Sequence, residues 1–102
     1  MPVYAEDEPT LSCEECWDNL VFALESDIQL IGAICADLAA QRYALAQNCL
    51  AITNNSWQLC KNQPAYLDSD ADHTACKAAY NDLVAEKRAN KAFCRFVICN
   101  SL

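Results

Sequence analysis

Between Cys13 and Ile52 the chain holds no proline and a single glycine, and an apolar residue returns at every seventh position: Trp17, Leu24, Ile31, Leu38, Leu45 and Ile52. A second row, offset by four, runs Val21, Ile28, Cys35, Arg42 and Cys49. Two rows interleaved at spacings of three and four form one apolar face of an α-helix. Two positions of the second row are cysteines, so this face also carries covalent cross-links.

Whether the stretch is one helix is decided by length. Forty residues at the helical rise span about 60 Å, whereas a compact domain of this size has a radius of gyration of about 13 Å. Ser26-Asp27-Ile28-Gln29 repeats the Ser-x-x-Gln pattern of a capping box and offers a break. The reading adopted is two helices, about 13–25 and 27–52. Gly32 marks a kink or a close helix contact. At the start, Ser12-Cys13-Glu14-Glu15 forms a capping box, and Glu14, Glu15 and Asp18 suit the positive end of the helix dipole.

Residues 1–11, with two prolines and three consecutive acids, read as a flexible acidic arm. Residues 12–102 read as one helical domain. Asn54-Asn55-Ser56 is a loop signal and an N-x-S sequon, usable only by a chain that meets the glycosylation machinery. Trp57, Leu59 and Cys60 form a short helical turn that Pro64 stops. Residues 64–72 read as a loop whose Asp68, Ser69, Asp70 and Asp72 cap a last helix from about 71 to 98. That helix turns Cys76, Ala79, Tyr80, Leu83, Val84, Phe93, Cys94 and Val97 inward, and Lys77, Asp82, Glu86, Lys87, Arg88 and Lys91 outward. No hairpin dipeptide or long β-branched alternation is present. The expected fold is all-α: a disulfide-stapled antiparallel bundle of three or four helices.

A 102-residue chain buries only a modest core. Eight cysteines supply the missing stability: Cys13, Cys16, Cys35, Cys49, Cys60, Cys76, Cys94 and Cys99. An even count without a second C-x-x-C favours four disulfides over a zinc site. Eight cysteines allow 105 pairings. If the helix ending at 52 runs antiparallel to one starting near 71, Cys49 lies opposite Cys76 and Cys35 near Cys94. The expected pairs are therefore Cys35–Cys94 and Cys49–Cys76, with Cys13, Cys16, Cys60 and Cys99 forming the other two. Each should add about 3–4 kcal/mol in the chain-entropy model.

Seven basic against fourteen acidic residues give a net charge of −7. Such a surface repels phosphate and anionic lipid, which argues against nucleic-acid binding and membrane lysis. By this reading no apolar stretch approaches the roughly 20 residues that span a bilayer, so no membrane insertion is expected. Asp68 to Ala79 lacks the Gly and Glu of a calcium loop. Cys13-Glu-Glu-Cys16 has redox spacing, but its carboxylates raise thiol pKa values and a βαβ context is missing. His73, the only histidine, has no nucleophile to serve and reads as a solvated residue among Asp70 and Asp72. No catalytic set, metal or cofactor is expected. Phe22, Tyr43, Trp57 and Tyr66 are the candidate interface residues, because exposed aromatics are enriched where proteins meet.

An acidic, helical chain with an even set of cysteines carried on its helices (Cys13, Cys16, Cys35, Cys49, Cys76 and Cys94) resembles the water-borne mating pheromones of Euplotes ciliates. It would be similar to a larger, long-helix type. The resemblance implies a secreted, extracellular signal that binds a cell-surface receptor and self-associates as a homodimer through helix faces. A secreted toxin or effector acting on a receptor or channel shares every scaffold feature. A helical lipid or odorant carrier would need an internal apolar cavity.

Overall fold

A computed structural model describes residues 11–101. The expected 1–11 arm falls outside them except for Leu11. The described chain is helical almost throughout, with no strand. Helix α1 runs without interruption from Cys13 to Ile52. A single turn, α2, follows at Trp57–Cys60, and α3 spans Pro64–Phe93. A π-helical turn at Cys94–Ile98 and a 3-10 turn at Cys99–Ser101 extend the second arm. The all-α, disulfide-stapled expectation is met. The packing, however, involves two long arms folded back on each other rather than helices around a shared core. The molecule measures 76 × 25 × 17 Å with a radius of gyration of 21.9 Å, well above the value of about 13 Å for a compact chain of this length.

The register is regular. Each step forward on α1 is matched by a step back on the second arm. Cys13 is bonded to Cys99 and Cys16 to Cys94. Farther along, Glu25 pairs with Lys87, Gly32 faces Tyr80, Cys35 is bonded to Cys76, and Arg42 pairs with Asp70. The inward residues of α1 are the two sequence rows: Leu24, Ile28, Ile31, Cys35, Leu38, Arg42, Leu45 and Cys49 are all buried or half-buried. On α3 the matching row is Tyr66, Ser69, His73, Cys76, Tyr80, Leu83, Lys87 and Asn90. This is a two-stranded antiparallel seam of coiled-coil type.

Four expectations are corrected. The break at Ser26 is absent: Ser26 is exposed within α1, because no proline interrupts the hydrogen-bond ladder and the seam continues through it. The second arm starts at Pro64, in the first helical turn after Gln63, where a proline's fixed φ and missing N–H cost nothing. Residues 64–72 are therefore helix. Asp68, Asp70 and Asp72 lie along α3 instead of capping it, and His73 is a half-buried seam residue. Finally, the turn lies near residue 55 rather than near 62, which slides the register by about two heptads. The pairs Cys35–Cys94 and Cys49–Cys76 are replaced by Cys35–Cys76 and Cys49–Cys60, with Cys16–Cys94 and Cys13–Cys99 closing the open end.

The capping box forms as expected: Glu15 N–H donates to Ser12 Oγ at 3.0 Å and Ser12 N–H donates to Glu15 Oε1 at 3.2 Å. Just beyond it, Trp17–Phe22 is a π-helical stretch. A π turn inserts one residue into the helical repeat and rotates the turns after it. It brings both Leu20 and Val21 to the seam, where the Leu20 carbonyl accepts a hydrogen bond from Asn90 Nδ2 at 2.7 Å. The second π turn rotates the end of the other arm, so that Ile98 joins the seam while Val97, expected inside, is exposed; Phe93, also expected inside, precedes that turn and is exposed because it lies off the row of Leu83, Lys87, Asn90 and Cys94. Between these turns lies the tightest packing of the molecule: Cys16, Val21 and Cys94, covered by Trp17, Leu20 and Ile98.

Two helices can shield only one stripe of each other. Among the described residues just Cys16, Val21, Cys35, Cys60, Ser69 and Cys94 are buried, and four of the six are half-cystines. The disulfides therefore substitute for a core. They close loops of 86, 78, 41 and 11 residues. Taken singly, such loops contribute about 3–5 kcal/mol in the chain-entropy model, less in combination because they are nested.

Candidate functional site

The closed end of the hairpin is the most specialised part of the surface. Helix α1 stops where Thr53 turns back. Its N–H donates to the Cys49 carbonyl at 2.9 Å and its hydroxyl donates to the same oxygen at 2.8 Å. Asn54 and Asn55 then adopt left-handed backbone conformations, φ 58° and 64°. Asparagine is the non-glycine residue best suited to that region. Asn55 N–H returns to the Leu50 carbonyl at 2.8 Å, the long-range bond of a Schellman-type helix end. Ser56 starts α2, its carbonyl accepting from Leu59 N–H and Cys60 N–H at 3.2 Å each. The Cys49–Cys60 disulfide ties α2 to the end of α1, with Thr53 Oγ1 3.3 Å from Cys60 Sγ. Gln63 N–H donates to the Cys60 carbonyl at 3.1 Å, after which α3 begins. Every bend is thus held by a backbone bond or the disulfide.

Upon this frame sit large apolar side chains facing outward. Trp57, itself exposed, stacks edge-on against the half-buried seam residue Tyr66, ring centroids 5.3 Å apart and planes at 86°. At the same end of the hairpin Ile52, Leu59 and Leu67 are 84%, 62% and 46% exposed. The local charges are few: Lys61 and Asp68 flank the apolar group. An aromatic pair preorganised by a disulfide, with aliphatic neighbours, is the composition of an interface hot spot. Such a group loses little conformational freedom on binding.

Of the four aromatic residues singled out in the sequence, the structure joins Trp57 and Tyr66 here. It does not bring Phe22 or Tyr43 to them. Tyr43 is exposed on the flank of α1. Phe22 lies near the open end, its ring centroid 6.0 Å from that of Trp17. Ile52, Leu59 and Leu67 are not legible as site residues in the sequence, because their membership depends on where the chain turns. Ile52 continues the heptad row of the seam, but the seam ends before it.

The remaining chemistry is sparse. All eight cysteines are in disulfides, and among the described residues no cluster of three or more His, Cys, Asp or Glu could hold a metal. A hollow of about 350 Å³ lies between the arms beside Gly32, Cys35, Lys77, Tyr80 and Asn81. It is an open groove, since two helices have no interior. The chain matches no protein-family model, no curated protein and no solved structure.

Proposed function

We propose that the protein is a secreted, non-enzymatic signal that binds a cell-surface receptor through the Trp57–Tyr66 end of the hairpin. The observation that carries this reading is the exposed Trp57 ring, stacked edge-on against the half-buried Tyr66 on a turn held by the Cys49–Cys60 bridge. Exposing Trp57, Ile52, Leu59 and Leu67 to water costs solubility without contributing to the fold, which favours a partner that covers them. Four intramolecular disulfides suit an oxidising, extracellular medium.

Contrary to the expectation from apolar run length, the helix Cys13–Ile52 is long and apolar enough to cross a membrane by length and composition, with a mean hydropathy of 1.4 over 18 residues. Its covalent partner argues against insertion. Helix α1 is bonded at Cys13, Cys16 and Cys35 to an arm that carries Asp72, Asp82, Glu86, Arg88 and Lys91 on its outer side. Both arms would have to enter together, and each charge at mid-bilayer costs at least about 2.5–3.5 kcal/mol.

The test is binding of fluorescently labelled, fully oxidised protein to cells of its source. Saturable binding that Trp57→Ala abolishes, with an unchanged circular dichroism spectrum, supports the reading. Binding unaffected by Trp57→Ala and Leu59→Ser together contradicts it. Binding confined to foreign cells would instead mark a toxin or effector. Uptake of a fluorescent fatty acid at one molecule per chain would mark a carrier.

A further inference from the structure

The charges of the hairpin are unevenly placed. Between Lys87 and Leu102 the chain holds four basic residues, Lys87, Arg88, Lys91 and Arg95, and no acidic one; the rest of it holds three basic and fourteen acidic residues. Lys87 pairs with Glu25. Arg88, Lys91 and Arg95 are exposed and, among the described residues, form no ion pair. They line two adjoining open hollows on one side of the second arm. One, of about 170 Å³, is bounded by Val84, Lys87, Arg88 and Lys91. The other, of about 270 Å³, is bounded by Arg88, Lys91, Ala92, Arg95 and Phe96. No carboxylate lines either hollow. Of the acids at the start of α1, Glu15 accepts from Ser12 N–H, and neither Glu14 nor Asp18 pairs with the three cations. Like charges that share a groove repel one another until an anion lies among them.

We infer that Glu6, Asp7 and Glu8 of the same chain dock on Arg88, Lys91 and Arg95, so that the acidic segment before Cys13 folds back over the basic side of the second arm. Residues 1–10 lie outside the described chain, and the assignment rests on charge, tether and reach. Three consecutive acids meet three unpaired cations. The Cys13–Cys99 bridge, with Cα atoms 4.8 Å apart, roots the segment at the end of the second arm. Along that arm Arg95 and Arg88 lie about 6 and 16 Å from Cys99 at the helical rise. Glu8 and Glu6 are five and seven residues from Cys13, and an extended chain of those lengths reaches up to about 17 and 24 Å. Exposed ion pairs are individually weak, so a free acidic peptide binds poorly, and a net charge of −7 repels polyanions such as sulfated glycans. A short tether instead supplies an effective concentration of about 1 mM. The docked segment neutralises the basic side of the open end. The Trp57–Tyr66 contact lies at the closed end, so the inference stands whether or not that end meets a receptor.

The test is cross-linking of the oxidised protein with a water-soluble carbodiimide, which joins a carboxylate to a lysine amine only where the two touch. The expected product has the 11.3 kDa mass of one chain, and sequencing by mass spectrometry finds Lys91 joined to Glu6, Asp7 or Glu8. Its yield should fall about fivefold in 1 M salt, where charges are screened beyond about 3 Å. Arg88→Glu with Arg95→Glu should lower it as much while leaving Lys91 in place; a segment that is tethered but not docked would be indifferent to both changes. The substituted positions are exposed, so the hairpin persists, and should the double variant unfold, the salt dependence of the unaltered protein decides. Absence of the Lys91 product, linkage of Lys91 only to Glu14, Glu15 or Asp18, a product confined to two-chain mass, or a yield indifferent to salt would each overturn the assignment.

Discussion

Arg42 Nη1 donates to Asp70 Oδ1 across the seam at 2.9 Å. Arg42 occupies a position that Val21, Ile28, Cys35 and Cys49 fill elsewhere in the same row, so a charge stands where an apolar side chain would pack better. Together with Lys87–Glu25, also 2.9 Å, it sets which turn of one arm faces which turn of the other. Both pairs are more than a quarter exposed, and such pairs contribute little to stability. In a double-mutant cycle with Arg42→Ala and Asp70→Ala, the coupling energy from chemical denaturation should be about 0.5 kcal/mol and should shrink in 1 M salt. The larger effect should be on refolding from the reduced state: Arg42→Leu should raise the yield of mispaired disulfides, read by non-reducing chromatography, because the apolar seam alone permits sliding by a heptad.

Asn90 donates across the seam to the Leu20 carbonyl in the π turn of α1. Asn90→Ala removes this hydrogen bond, at a cost of about 1 kcal/mol. Amide hydrogen exchange should localise the effect: protection should fall around Trp17–Phe22 and stay unchanged near Cys35. Asn90→Asp, which cannot donate when ionised, should be at least as damaging.

Gly32 gives the opposite expectation. Its φ is not in the left-handed region, and an added Cβ would lie 3.4 Å from the Tyr80 ring, an ordinary contact. Glycine inside a helix is worth about 1 kcal/mol less than alanine. Gly32→Ala should therefore stabilise the hairpin by about 0.5–1 kcal/mol, raising the denaturation midpoint without altering the disulfide map. Gly32→Leu should destabilise, since a branched side chain cannot share the seam with Tyr80.

The hairpin end should depend on its own short bridge. Replacing Cys49 and Cys60 together by Ala removes a loop of 11 residues and should cost about 2–3 kcal/mol. The three remaining bridges keep the arms paired. Helix content should hold while the near-ultraviolet signal of Trp57 diminishes, and receptor binding should weaken at least tenfold from the lost preorganisation.

The seam is legible in the sequence because its signal is local and repeated: the rows from Trp17 and Val21 recur through five and four heptads, and Ser12 with Glu15 spells out the capping box. The bridges are not legible, because pairing depends on where the chain reverses, and that hinges on a few residues. Pro64 reads equally as a helix stop or as a first helical residue, and Asp68, Ser69, Asp70 and Asp72 resemble a cap if the helix begins after them. Misplacing the turn moves every contact of the second arm. The same shift hides the candidate site: Trp57 and Tyr66 stand out as aromatic, but their edge-on contact, and the exposure of Ile52, Leu59 and Leu67 at the same end, emerge only once the turn is placed. The second π turn leaves no periodic signature, so the pattern alone turns Val97 inward.

The most direct test of the hairpin and its end is a tryptic map of the non-reduced protein. Cleavage after Arg42, Lys61, Lys77 and Arg95 separates the cysteines. Residues 43–61 should be released as a single peptide closed by Cys49–Cys60, two hydrogens lighter than its reduced form. Residues 1–42 should stay linked to the peptides holding Cys76, Cys94 and Cys99. Finding residues 43–61 joined to 62–77 through Cys49–Cys76, or free thiols in protein isolated from its source, would contradict the hairpin and with it the secreted signal.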